Sequence, residues 1–237
     1  MTVLFLVILF IAFAVQSLAG FGGPLIAMPL GISVVGVELA KPVITFCAWL
    51  SAAVIAVRNR KHIVYRELFK MSGVMIVFMI AGLWLFTNVK LAFLQIFYGL
   101  IVIGIGLKKL FLPSEKTIPK WMAALAICLA GVMQGLFVSG GSFLVIYAIG
   151  AIPEKQQFRA TLSGVWAVVN IMLLVSYALD GSVTPPVLST AALGLIPLTA
   201  AVVCGSLLAG KMKQKVFLKG AYILLVISGT VLLLTNL

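Results

Sequence analysis

Apolar residues fill this chain in long blocks, with the charged residues between the blocks rather than alternating with them. Uncharged stretches run over 2–37, 71–89, 91–107, 121–153, 160–179 and 181–210. Each is long enough to enter or cross a bilayer, which takes roughly 20 apolar residues. Two of them, 2–37 and 121–153, are too long for one span, and each carries a glycine pair near its middle. Splitting them there predicts helical segments over about 2–19, 22–37, 42–57, 68–87, 91–109, 120–138, 140–152, 160–179, 187–210 and 216–236, so about 8–10 membrane segments.

The two broken blocks are versions of one motif. Residues 16–26 (QSLAGFGGPLI) and 134–144 (QGLFVSGGSFL) align without a gap, placing Gln16 on Gln134, Leu18 on Leu136, Gly22 on Gly140 and Gly23 on Gly141. Glycine lets a membrane segment turn or approach a ligand closely. A break duplicated in matching halves is the best sequence pointer to a transporter's binding site. The arm at 141–152 would be only about 18 Å long at ~1.5 Å per residue, against a hydrocarbon core of about 30 Å. The second elbow is therefore expected inside the membrane, facing protein or a wet cavity, since lipid cannot satisfy free backbone groups.

Composition and charge sharpen the membrane assignment. Hydrophobic residues make up 63% of the chain and charged residues 9%, where a soluble domain carries about 25% charged residues. No hydrophilic stretch is long enough for a soluble domain, so residues 1–237 read as a single transmembrane domain. The N-terminal block lacks a preceding Lys or Arg and exceeds a signal-peptide core of about 7–15 residues, so it reads as a mature membrane segment. The net charge is +12, but 15 of the 17 Lys and Arg fall in four clusters: Arg58 to Lys70, Lys108 to Lys120, Lys155 with Arg159, and Lys211 to Lys219. Only Lys41 and Lys90 lie elsewhere. Such clusters mark cytoplasmic loops by the positive-inside rule, and nucleic acid is not needed to explain them.

Threading the chain with those loops inside puts both termini outside the cytoplasm of a multi-pass cell-membrane protein. The first broken pair then enters and leaves from outside, and the second from inside. The expected fold is thus an all-α integral membrane protein with an inverted repeat, repeat 1 over about 1–112 and repeat 2 over about 117–237. Each half has a glycine-broken helical hairpin plus three spanning helices.

A helix starting after Gly23 or Gly141 points its N-terminal N–H groups and positive dipole end at its elbow, which favours an anion. Pro24 suits a first helical turn. The candidate substrate-binding set is Gln16, Gly20, Phe21, Gly22, Gly23, Gln134, Ser139, Gly140, Gly141, Ser142, Trp166 and Asn170, with Thr161 and Ser163 facing the same way. Thr45, Trp49 and Ser51 hold similar places in the first half. The bland alternative is that Gly-Gly pairs only let helices pack closely.

On residues 16–24, with Gly20-Phe21-Gly22-Gly23, and residues 135–142, with Ser139-Gly140-Gly141, the chain resembles the TauE/SafE family of anion and sulfite exporters. The resemblance implies a permease for small sulfur-containing anions such as sulfite, thiosulfate or organosulfonates. At the second elbow Val138-Ser139 stands where the first has Gly20-Phe21.

No carboxylate pair, His-Cys cluster or phosphate-binding loop points to an enzyme, a cofactor or a metal. Cys47, Cys128 and Cys204 sit singly in apolar runs and read as small apolar fillers. Glu38 and Lys41 are expected as an interfacial pair near the outer surface, Asp180 as a helix end, and His62 as an unspecialised loop residue. The rival functions are a non-transport assembly subunit and an anion channel. Substrate identity, direction, coupling ion and any homo-oligomer stay open at this level.

Overall fold

The computed structural model describes residues 2–88 and 119–213, with single positions between 100 and 111 and between 216 and 234. The expected helices at 91–109 and 216–236, and the cluster around Lys108, Lys109 and Lys116, lie outside the described residues as elements. Among those described, the secondary structure is helical throughout, with no strand. The first half contributes α1 (Thr2–Ala19), α2 (Gly23–Val35), α3 (Val37–Arg58), a single 3-10 turn at Arg60–His62, and α4 (Tyr65–Asn88). The second contributes α5 (Lys120–Phe137), α6 (Gly141–Ala151), α7 (Lys155–Leu179) and α8 (Pro185–Lys211). Five of these helices, α1, α3, α4, α7 and α8, are long and apolar enough to cross a membrane.

Both expected hairpins are present, and both return arms are short. The 13 residues of α2 and 11 of α6 give about 20 Å and about 17 Å of helix at 1.5 Å per residue. Two boundaries differ from expectation. Lys155 and Arg159 are not loop residues but open α7, and Lys41 lies inside α3, which begins at Val37. The reason at α7 is a cap: the Glu154 carboxylate accepts from the backbone N–H of Gln156 and of Gln157. It thereby starts the helix one turn before the apolar run. Charge marks where a segment leaves the bilayer, not where its helix ends.

Contacts fix how the helices run. Gly194 of α8 packs on Leu9 and Gly205 on Ala14, Ser17 and Leu18, so α8 is parallel to α1. Gly131 of α5 meets Met75 and Phe78, and Gly135 meets Met79 and Leu83, so α5 is parallel to α4. Gln16 bonds to Ala48 and Ser51 while Gly31 touches Phe5 and Ile44, which sets α3 parallel to α1 and α2 against both. Lys41 lies over the Tyr177 ring, whereas Arg58 and Arg159 share a cavity at the other end; α7 is antiparallel to α3. The broadest contacts are α4 on α5 and α1 on α8, followed by α3 on α7. The halves are therefore interlocked, each lending a helix to the other.

Close backbone approach carries the α4–α5 contact. A Cβ at Gly131 would sit 2.6 Å from the Met75 carbonyl oxygen, and one at Gly135 or Gly82 would overlap the Met79 or Val132 carbonyl. Gly131 and Gly135 are spaced as in the small-residue seams of membrane helices. Deep packing around Phe5, Leu9, Phe13, Ile44, Met71, Met75, Leu144 and Leu173 fills the remaining core.

Candidate functional site

The two elbows close in nearly the same way despite different residues. Gly20 N–H donates to the Gln16 carbonyl (2.7 Å) and Val138 N–H to the Gln134 carbonyl (3.0 Å). Both residues are left-handed, with φ 85° at Gly20 and 54° at Val138. Positive φ in a β-branched residue is strained, and such strain concentrates at functional sites. Packing accounts for the difference. A Cβ on Gly20 would lie 3.1 Å from the Cα of Arg159, a tight approach at a left-handed residue that favours glycine, whereas Val138 has room for its side chain and buries it. Gly22 is also left-handed, at φ 96°, while its counterpart Gly140 is right-handed. Gly140 is glycine for a different reason: a Cβ there would overlap the Ala130 carbonyl.

From these elbows the chain builds one small cavity. Its lining includes Gln16, Phe21, Gly22, Gln134, Ser139, Gly141, Trp166 and Asn170 from the expected set, and adds Pro24, Leu25, Ala48 and Val138. Residues about 118 positions apart in sequence thus face one space. The contributors from the long helices, Ala48, Trp166 and Asn170, stand near the midpoints of α3 and α7.

Matching hydrogen bonds hold the walls. Gln16 Nε2 donates to Ser51 Oγ at 2.8 Å, and Gln134 Nε2 donates to Asn170 Oδ1 at 2.9 Å. Each glutamine ties its broken helix to the long helix that follows the hairpin. Gln134 also accepts from Gly140 N–H (3.1 Å) through Oε1, so it caps its own elbow. Trp166 Nε1 donates to the Gly20 carbonyl oxygen (3.1 Å), joining α7 to the opposite half's elbow.

No ionisable side chain lines the cavity. Its volume is ≈ 20 Å³ in the space open to a water's centre, enough for one or two waters at roughly 10–15 Å³ each.

Several expected residues stand apart from this lining. Gly20, Gly23 and Gly140 form the elbow backbones behind it. Ser142 is fully buried in the first turn of α6, and its Oγ has no hydrogen-bond partner among the described residues. Thr161 instead accepts from Val64 N–H at 3.0 Å, and Ser163 is buried away from the cavity. In the first half Thr45 donates back to the Lys41 carbonyl, Trp49 packs against Phe46, and only Ser51 reaches the site, through Gln16. Arg159 and Ser206, unremarked in the sequence as partners, meet at 2.8 Å beside the first elbow. The cysteines are free, and no group of metal-ligating side chains occurs among the described residues.

A family model for the sulfite exporter TauE/SafE matches residues 4–232. The chain belongs to the TauE/SafE family. It is thus a multi-pass membrane transporter of an anion-exporter family rather than an enzyme, and the match runs through both elbows and all eight described helices. No curated protein and no solved structure gave a match.

Proposed function

We propose that this TauE/SafE protein carries small sulfur oxyanions such as sulfite or thiosulfate, binding them between the two elbows and exposing them alternately to each side. One observation carries the reading: both copies of the duplicated motif line a single cavity, at the midpoints of the long helices. The first turns of α2 and α6 supply backbone N–H groups and dipole ends there, a setting that favours an anion without an opposite full charge. Ser142 adds a buried hydroxyl with an unused donor nearby. Preorganised neutral donors hold an oxyanion weakly enough for release.

The inverted repeat belongs to the same proposal. Taking α1 to α4 as counterparts of α5 to α8, every helix of the second half runs opposite to its partner. The contacts exchange in step: α1 on α8 answers α4 on α5, and α3 on α7 maps onto itself. Such halves can rock about a central site. The basic ends of α3, α7 and α8 lie together, which under the positive-inside rule is the cytoplasmic face. Residue 2 then lies outside.

The test is anion flux in liposomes holding the purified protein. At Gly141 a Cβ would meet Trp166, Leu25 and Phe21 at ordinary contact of 3.7–3.8 Å. Gly141→Ala should therefore insert and fold normally, while Gly141→Val should fill the cavity and abolish flux. Wild-type flux in Gly141→Val at normal expression would leave the elbows as packing devices.

A further inference from the structure

A second cavity opens where α3, α7 and α8 end together. Arg58, Asn59, Lys155, Gln156, Arg159 and Ser206 line it, and none of its lining residues is acidic. Its volume, ≈ 300 Å³ on the same measure that gives ≈ 20 Å³ at the elbows, admits a hydrated oxyanion. The adjacent carboxylate, Glu154, is turned onto its own helix start. Lys155 Nζ donates to the carbonyls of Ala209 and Met212, which fixes its position at the rim.

Arg159 joins this cavity to the first elbow. Its Nε donates to the Ser17 carbonyl at 2.6 Å and its Nη2 to Ser206 Oγ at 2.8 Å. Its backbone lies against Gly20, whose carbonyl accepts from Trp166 in the elbow cavity. A guanidinium has five donors, so these two bonds leave three for a ligand. At the opposite ends of α3 and α7 the corresponding cavity carries Glu38 and Asp180 and no basic residue in its lining. The two linings therefore differ in charge, and at the acidic end Lys41 of α3 offsets part of the charge of Glu38 and Asp180.

We propose that the basic cavity is a second anion site, a cytoplasmic loading vestibule for sulfite-like oxyanions, with Arg159 as its floor against the elbows. The proposal rests on the transport reading above for what lies beyond the floor, but not for the binding itself. Cationic clefts raise the local concentration of anions and lose that effect as salt screens them. The anion is gathered by Arg58, Lys155 and Arg159, and passes inward when Arg159 releases Ser17 or Ser206.

Calorimetric titration of the purified full chain with sodium thiosulfate tests this, beside flux in liposomes. In Gly141→Val, where the elbow cavity is filled, thiosulfate binding should persist and should weaken with added salt. On that background Arg159→Gln should raise Kd at least about tenfold, as loss of a hydrogen bond to a charged group predicts. Arg58→Gln should raise it severalfold; Arg58 is exposed, and its side chain makes no hydrogen bond among the described residues. An unchanged Kd in both variants, or no binding in Gly141→Val, overturns the vestibule. Charge-dependent binding in a wild type that shows no flux upholds the vestibule and overturns the transport reading instead.

Discussion

Gly20 and Val138 occupy matching places with the same backbone hand, yet their substitutions draw on different balances of strain and burial. Gly20→Ala adds a Cβ 3.1 Å from the Arg159 backbone at a left-handed residue, and about 1–2 kcal/mol of stability should be lost from the conformation alone. Val138→Gly relieves a strain of that same size while giving up a buried side chain worth about 1.5–3 kcal/mol. The net change should stay under about 2 kcal/mol, read as a small shift in thermal midpoint of the purified protein. Ser142 separates stability from binding. Its hydroxyl is buried without a partner, so Ser142→Ala should not lower the midpoint. If the hydroxyl donates to the anion, the same change weakens binding by about 1 kcal/mol; unaltered affinity would remove Ser142 from the site.

At the scale of elements, the decisive contacts are those where helices touch through backbone. The α4–α5 seam at Gly82, Gly131 and Gly135 joins the two halves, and α1–α8 does the same at Gly205, where a Cβ would lie 2.5 Å from the Ala14 carbonyl. Gly135→Ala should force these backbones apart and cost about 1–3 kcal/mol, as overpacking does. Gly73 supplies the control, since it lies on α4 with open space around its Cα. Gly73→Ala should leave the midpoint unchanged or raise it, by up to about 1 kcal/mol from helix propensity. Equal effects at the two positions would show that the seam is not a close contact. The short arm α6 is anchored separately: Lys70 donates to Tyr147 OH, which donates to Glu67, so its middle is held to α4.

For the whole molecule, orientation is the property to test. With Cys128 and Cys204 replaced, a cysteine at Lys61 should label only after the inner face is opened. One at Ser182 should label from outside. The reverse pattern would invert the topology and place the acidic mouth of Glu38 and Asp180 in the cytoplasm. Flux driven from the basic face should also fall more steeply with ionic strength than flux from the acidic face, because screening removes attraction at one mouth and repulsion at the other.

Hydropathy alone determined that this chain is a helical membrane protein, because apolar blocks of bilayer length admit few other outcomes. The duplicated motif at Gln16 and Gln134 located both breaks and most of the cavity lining, since glycine pairs and buried amides are conspicuous in an apolar background. The glycine seam of α5 was also in the sequence, as Gly131 and Gly135 four residues apart, but spacing does not say which helix it faces. Three things depended on the tertiary structure. Ala48, Leu25 and Val138 line the site because of where their helices cross, and an aliphatic residue carries no label of that in sequence. Arg159 reads as one more charge in a basic cluster until the fold sets it beside Ser17 and Ser206, residues 142 and 47 positions away. The tolerance for Val138 where packing at its counterpart favours glycine was decided by what lies behind each elbow. Local sequence sets periodicity, breaks and net charge, whereas the partner across a helix crossing is a long-range fact that only packing supplies.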